Sequence, residues 1–123
     1  MGKAQRDKGK RWEREVAHCL RALYGPCVRR GWQSRMGDDE ADITGVPFWW
    51  VEAKHHKRVN YRAALRQAVS DSEGKELRPL VVAKDDRQPP VVMLLWDDWL
   101  WLQQLLMDCD VTGGRDATDE GSS

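Results

Sequence analysis

Residues 41–54 read ADITGVPFWWVEAK, and the reading of this stretch decides the fold. Residues 41–44 and 48–54 flank Gly45-Val46-Pro47, the pattern of two strands joined by a turn. If Thr44 faces Trp50 across that turn, Asp42 faces Glu52. Because side chains alternate along a strand, Asp42, Glu52 and Lys54 then share one face. Trp49-Trp50-Val51 makes the second strand strongly apolar, so a Glu and a Lys closing it are costly unless they bind something.

Upstream, Trp12, Val16, Cys19, Leu20 and Leu23 recur at helical spacing over residues 10–24, and Gly25-Pro26 stops the pattern. Residues 1–9 are basic and lack periodicity, so they are expected to form a mobile arm. Residues 28–32 suggest a short strand, and the loop 33–40 follows, with Gly37 and an acidic cluster opposing regular structure. Downstream, Tyr61, Ala64, Leu65, Ala68, Val69 and Ser72 mark a second helix, with Arg58, Arg62 and Arg66 on its other side. Residues 79–84 and 90–96 read as a hairpin. Asp97 is a suitable N-cap for a last helix through Met107. Residues 109–123 read as a disordered acidic tail. The order implies one α/β domain over residues 10–108, a mixed central sheet flanked by helices.

The bulk properties agree with a single small domain. The chain has 123 residues, 41% hydrophobic and 33% charged, and no apolar run approaches the roughly 20 residues needed to span a bilayer. No secretory pattern opens it, so a cytoplasmic protein with no membrane partner is expected. Three cysteines without C-x-x-C spacing argue against a disulfide framework or a zinc knuckle. The net charge of zero hides an asymmetry: residues 1–69 carry 15 Lys and Arg against 8 Asp and Glu, and residues 70–123 carry 5 against 12. A basic half can meet a polyanion whatever the total charge, although clustering by chance gives the same counts.

Asp42, Glu52 and Lys54 are the parts that phosphodiester hydrolysis needs. Two converging carboxylates are the oxygen ligands Mg²⁺ favours, and a nearby ammonium can orient water or stabilise the added negative charge of the transition state. The motif alone is short and can arise in any charged hairpin. At 100° per residue, however, Glu13 borders the apolar stripe of the first helix while Glu15 and His18 point away, so Glu13 can reach a neighbouring metal site.

The runs Lys8-Gly9-Lys10-Arg11-Trp12-Glu13-Arg14-Glu15, Ser34-Arg35-Met36-Gly37, Asp42-Ile43 and Val51-Glu52-Ala53-Lys54 resemble the archaeal and phage Holliday junction resolvases of the PD-(D/E)XK nucleases. The resemblance covers residues 8–54 and implies a restriction-endonuclease-like core. It also implies metal ligation or assistance by Glu13, Asp42, Glu52 and the carbonyl of Ala53, with Lys54 catalytic and Ser34 contributing from the loop. Arg29, Arg30 and Arg35 would approach DNA phosphates, with Lys10, Arg11, Arg62, Arg66 and Gln67 as further DNA contacts. The implied cofactor is Mg²⁺, with Mn²⁺ as a substitute. The implied partner is a four-way junction cut by a homodimer, since resolution needs two symmetric cuts.

Some features have competing readings. Asp38, Asp39 and Glu40 crowd the loop before Asp42 and could replace it as ligand, although only Asp42 has the hairpin register. His55 and His56, adjacent on a strand, point to opposite faces and cannot serve one site together. At least one is expected in a solvated loop. Core packing is the default for Trp12, Trp50 and Trp96; Trp32, near the arginines, is the candidate for DNA contact. Cys19 is expected to be buried, and Gln67 could simply be solvated. Two further functions remain open: a restriction-type or replication-associated phage nuclease, and a DNA-binding module whose carboxylates are structural.

Overall fold

The computed structural model describes residues 2–32 and 40–113, with side chains through Cys109. Ser34, Arg35, Asp38 and Asp39 lie outside the described residues. Five strands form one sheet in the order β1 (Arg29–Arg30), β2 (Ile43–Thr44), β3 (Trp49–His56), β4 (Arg78–Asp85), β5 (Val91–Leu94). All neighbours are antiparallel except β3 and β4, which run parallel from Trp49 opposite Arg78 to His56 opposite Asp85. A parallel pair needs a crossover, and α2 (Tyr61–Ser72) supplies it. Its N-cap Asn60 accepts a hydrogen bond from the Ala63 amide, satisfying a donor that the first turn leaves free. The result is the α/β architecture with a mixed, helix-flanked sheet that the sequence pattern implied.

β3 is the central strand, and its apolar run is buried on both faces, as expected of a strand with helices above and below. Trp49, Val51 and Ala53 join Trp12, Val16 and Ala17 of α1 (Lys3–Tyr24) in one core. Trp50 joins Ala64, Ala68, Val81 and Ala83 in the other, beneath α2. Ala64 and Ala68 are small enough for the helix backbone to approach the sheet closely. Ile43 pairs with Val51. The expected antiparallel register of Thr44 with Trp50 and Asp42 with Glu52 is therefore the observed one.

The turn that sets this register is tight. Gly45 has φ of 82°, and a Cβ there would lie 2.2 Å from the carbonyl oxygen of Cys27. Glycine is required both for the left-handed backbone and for the close approach to the segment entering β1.

Several boundaries differ from the sequence reading. α1 begins at Lys3, so residues 3–9 are helical rather than an arm. Their polarity removes any apolar stripe, but Lys8 donates to both carboxylate oxygens of Asp86 at 2.9 and 3.1 Å, tying this segment to the far end of the sheet. The buried face of α1 is Trp12, Val16 and Ala17, rotated away from Cys19 and Leu23 of the expected apolar set. Ala17 is fully buried, whereas Leu23 is 76% exposed and Cys19 is exposed rather than buried. α3 (Trp96–Gly113) starts one residue before Asp97, which lies in the first turn rather than at the N-cap. Residues 109–113 are helical rather than part of an acidic tail, the rest of which, 114–123, lies outside the described residues. Trp96 is not in the core: it is 68% exposed and stacks on Trp99. The core contact falls to Trp101, set edge-on to Phe48 and Trp49, while buried Asp98 takes Arg78 at 2.7 Å. His55 and His56 both lie in β3 rather than in a solvated loop.

Gly45→Ala is expected to destabilise the protein by about 2–4 kcal/mol, since it adds a clash to a left-handed position. Urea unfolding measures this, and a loss below about 0.5 kcal/mol would mean that the turn tolerates a side chain.

Candidate active site

The site grows from where the β2–β3 ladder stops. Beyond the Ile43–Val51 pair, the amide of Ala53 donates to Asp42 Oδ2 at 2.9 Å, so the aspartate side chain replaces a ladder carbonyl and is fixed beside β3. Glu52 lies opposite Asp42 and is 6% exposed; its Oε2 accepts a 2.8 Å hydrogen bond from Trp50 Nε1. Trp50, Glu52, Lys54 and His56 alternate onto the same face of β3. Half-buried Lys54 lines a pocket of about 270 Å³ with His56, Asn60 and Gln67.

The electrostatics express this crowding. Burial, then the charge of Asp42 and a hydrogen bond with it, push Glu52 up to about 8, against the opposing charge of Lys54 and the Trp50 donor. Burial followed by the charge of Asp42 also raises Glu13, which Arg30 and Lys54 oppose. Glu13 Oε1 receives Arg30 Nε at 3.1 Å and Nη2 at 2.9 Å. Glu13, Asp42, Glu52 and Lys54 thus share one electrostatic neighbourhood built from α1, the residue preceding β2, and β3.

The donor set suits a hard divalent cation: two carboxylates held against each other, one of them pushed toward its protonated form by burial and then by the charge of the other. Among the described residues no three His, Cys, Asp or Glu side chains form a ready-made metal cluster. Glu13 is turned to Arg30, so Asp42 and Glu52 are the pair available. Glu40 is committed elsewhere, its Oε1 2.6 Å from the Trp32 amide and its Oε2 3.2 Å from Arg29. Those contacts hold its carboxyl below the usual range, the Trp32 amide first and Arg29 next.

The other expected residues are dispersed. Arg29 and Arg30 sit on β1, each in an ion pair, with Glu40 and Glu13 respectively, rather than unpaired toward solvent. Lys10, Arg11, Arg62 and Arg66 are exposed and form no ion pair among the described residues. Exposed Gln67 donates to Asp71 yet borders the Lys54 pocket. Trp32 is 70% exposed. The residue overlooked in the sequence is Trp50: a buried indole N–H needs an acceptor, and the two-residue spacing to Glu52 already offered one.

A family model described as "Phage putative PDDEXK endonuclease" matches residues 4–112, nearly the whole chain. No curated protein and no solved structure matches it.

Without added metal, the raised Glu52 sets a pH dependence of stability. Its stabilising contribution is complete below about pH 4.5, where both folded and unfolded chains are protonated, and is lost as pH rises through about 8. Urea unfolding in chelator should show stability declining between those values by on the order of 1–3 kcal/mol. Glu52→Gln should flatten the decline; a variant curve parallel to the parent would assign it to another group.

Proposed function

This chain belongs to the phage PDDEXK endonuclease family, and from that premise we propose that it hydrolyses DNA phosphodiester bonds through Asp42, Glu52 and Lys54, with branched DNA as substrate. The observation that carries the reading is the meeting of two carboxylates and an ammonium on one face of β3, bordered by Glu13. Among the described residues no helix is long and apolar enough to cross a membrane.

Each carboxylate has one oxygen tethered by an N–H donor, Asp42 Oδ2 by Ala53 and Glu52 Oε2 by Trp50. The tethers fix both side chains, and Asp42 and Glu52 with the carbonyl of Ala53 would hold a divalent cation. When bound there, Mg²⁺, or Mn²⁺ in its place, would supply the charge that polarises the phosphate and acidifies a water. Lys54, projecting from the same face, orients the attacking water or stabilises the added charge on the phosphate in the transition state. Glu13, kept in place by Arg30, adds negative potential beside Asp42 and would assist in retaining the cation.

The substrate assignment draws on the likeness of residues 8–54 to Holliday junction resolvases. A four-way junction needs two symmetric cuts, which a homodimer provides. The test is a labelled four-way junction against a linear duplex of the same sequence, with Mg²⁺. Preferential cutting of the junction is expected. Preference for the linear duplex would reassign the protein as a phage nuclease of another DNA substrate.

Lys54→Ala is expected to lower the single-turnover cleavage rate by about 10²–10³-fold while junction affinity stays within about threefold, because the group acts in the transition state. Cleavage at the parental rate would remove Lys54 from the mechanism. Asp42→Ala should abolish cleavage, and unchanged products would leave a DNA-binding module with structural carboxylates.

A further inference from the structure

The parallel pairing of β3 and β4 brings their C-terminal ends, His56 and Asp85, side by side, and so brings together the two connections that leave them. The amide of Asp86 donates to the carbonyls of His56 at 3.1 Å and Lys57 at 3.4 Å, and the amide of Val59 donates to Asp85 Oδ1 at 2.8 Å. Lys57 and Arg58, after β3, thereby share an open pocket of about 430 Å³ with Asp86 and Arg87, after β4.

The anions of this region are already used. Asp85 accepts from the Val59 amide and is hydrogen-bonded to Tyr61. Asp86 takes Lys8 at 2.9 Å, and His55 Nε2 lies 3.1 Å from the same oxygen, in ion-pair range but not aligned as a donor. Lys57, Arg58 and Arg87 are exposed and enter no ion pair among the described residues. Half-buried Lys84, opposite His55 in the register, adds to the positive field. Arg87 has φ of 62°, a conformation glycine or asparagine adopts more readily, yet the position carries a guanidinium. The patch follows the candidate active site along the chain: Lys54 and His56 of β3 line one pocket, and Lys57 and Arg58, the next residues, line the other.

We propose that Lys57, Arg58 and Arg87 form a second phosphate-binding site, which grips the DNA backbone beside the scissile position. The inference rests on the reading of the chain as a DNA nuclease and adds the direction in which the substrate leaves the centre. Three unneutralised cations facing one pocket match a polyanion whose neighbouring phosphates each release a counterion on binding. The site spans two connections that β3 and β4 hold in fixed relation, so it presents a rigid spacing to the backbone.

The experiment measures binding of the full chain to a labelled duplex and a four-way junction in chelator, across a salt series. The variant Lys57→Gln/Arg58→Gln/Arg87→Gln should reduce the slope of log affinity against log salt by about 3 and weaken binding by about tenfold or more. The charge-keeping variant Lys57→Arg/Arg58→Lys/Arg87→Lys should retain the slope, since phosphate contact needs charge more than shape. Lys3→Gln/Arg14→Gln, exposed cations on α1, should leave the slope unchanged, and melting curves verify that every variant is folded. A triple-variant slope equal to the parent's would overturn the site, as would a parent that binds no DNA. Chelator prevents metal-dependent cleavage, so the two readings separate: a parent that never cuts with Mg²⁺ yet shows the slope change loses the nuclease reading and keeps this site. A parent that cuts, with no slope change in the variant, keeps the nuclease reading and loses this site.

Discussion

The structure depends on a repulsion that the fold holds in place. Asp42 and Glu52 face each other across the end of a two-strand ladder, and Glu52 is almost fully buried. Burying one carboxylate beside another is unfavourable unless each is hydrogen-bonded and some positive charge lies near. The chain provides an indole donor for Glu52, a backbone amide for Asp42, and the ammonium of Lys54 on the same face. These offset the cost without removing it, since Glu52 stays well above the usual carboxylate range. That residual unfavourable energy is what a divalent cation would relieve, so the strain and the proposed chemistry have one origin.

The rest of the architecture serves to hold these groups. β3 is anchored on one face by Trp12, Val16 and Ala17 and on the other by Ala64 and Ala68, so its alternation is fixed and Glu52 cannot slip to the opposite face. β2 is only two residues long, and its shortness leaves the Ala53 amide free to bind a side chain in place of a carbonyl. α1 contributes Trp12, whose Nε1 donates to the Val82 carbonyl, and Glu13 one residue later. The helix that closes the core on one face therefore also sets a carboxylate near Asp42.

α3 follows different rules. Its apolar residues surround the helix rather than forming a stripe, and Trp96, Trp99, Leu100, Leu106 and Met107 are exposed. Trp101, Leu102 and the Arg78–Asp98 pair attach it to the sheet near its N-terminal half. A helix apolar on all sides gives no periodic signal to say which face turns inward. Trp96, on sequence grounds a core residue, could not have been assigned to the surface without the packing.

The sequence by itself determined the order of elements, the mixed sheet, and the register that sets Asp42 opposite Glu52 with Lys54 on the same face. The reason is local: period-two alternation and one short turn suffice to fix which side chains share a side of a hairpin. Tertiary structure alone decided what depends on segments far apart in the chain. Lys8, in the helical segment expected as an arm, binds Asp86, Arg30 pairs with Glu13, and the parallel partner of β3 brings Arg87 beside Lys57 and Arg58. Segment counting placed Arg87 in the acidic half, because linear order carries no information about which loops a parallel sheet brings together.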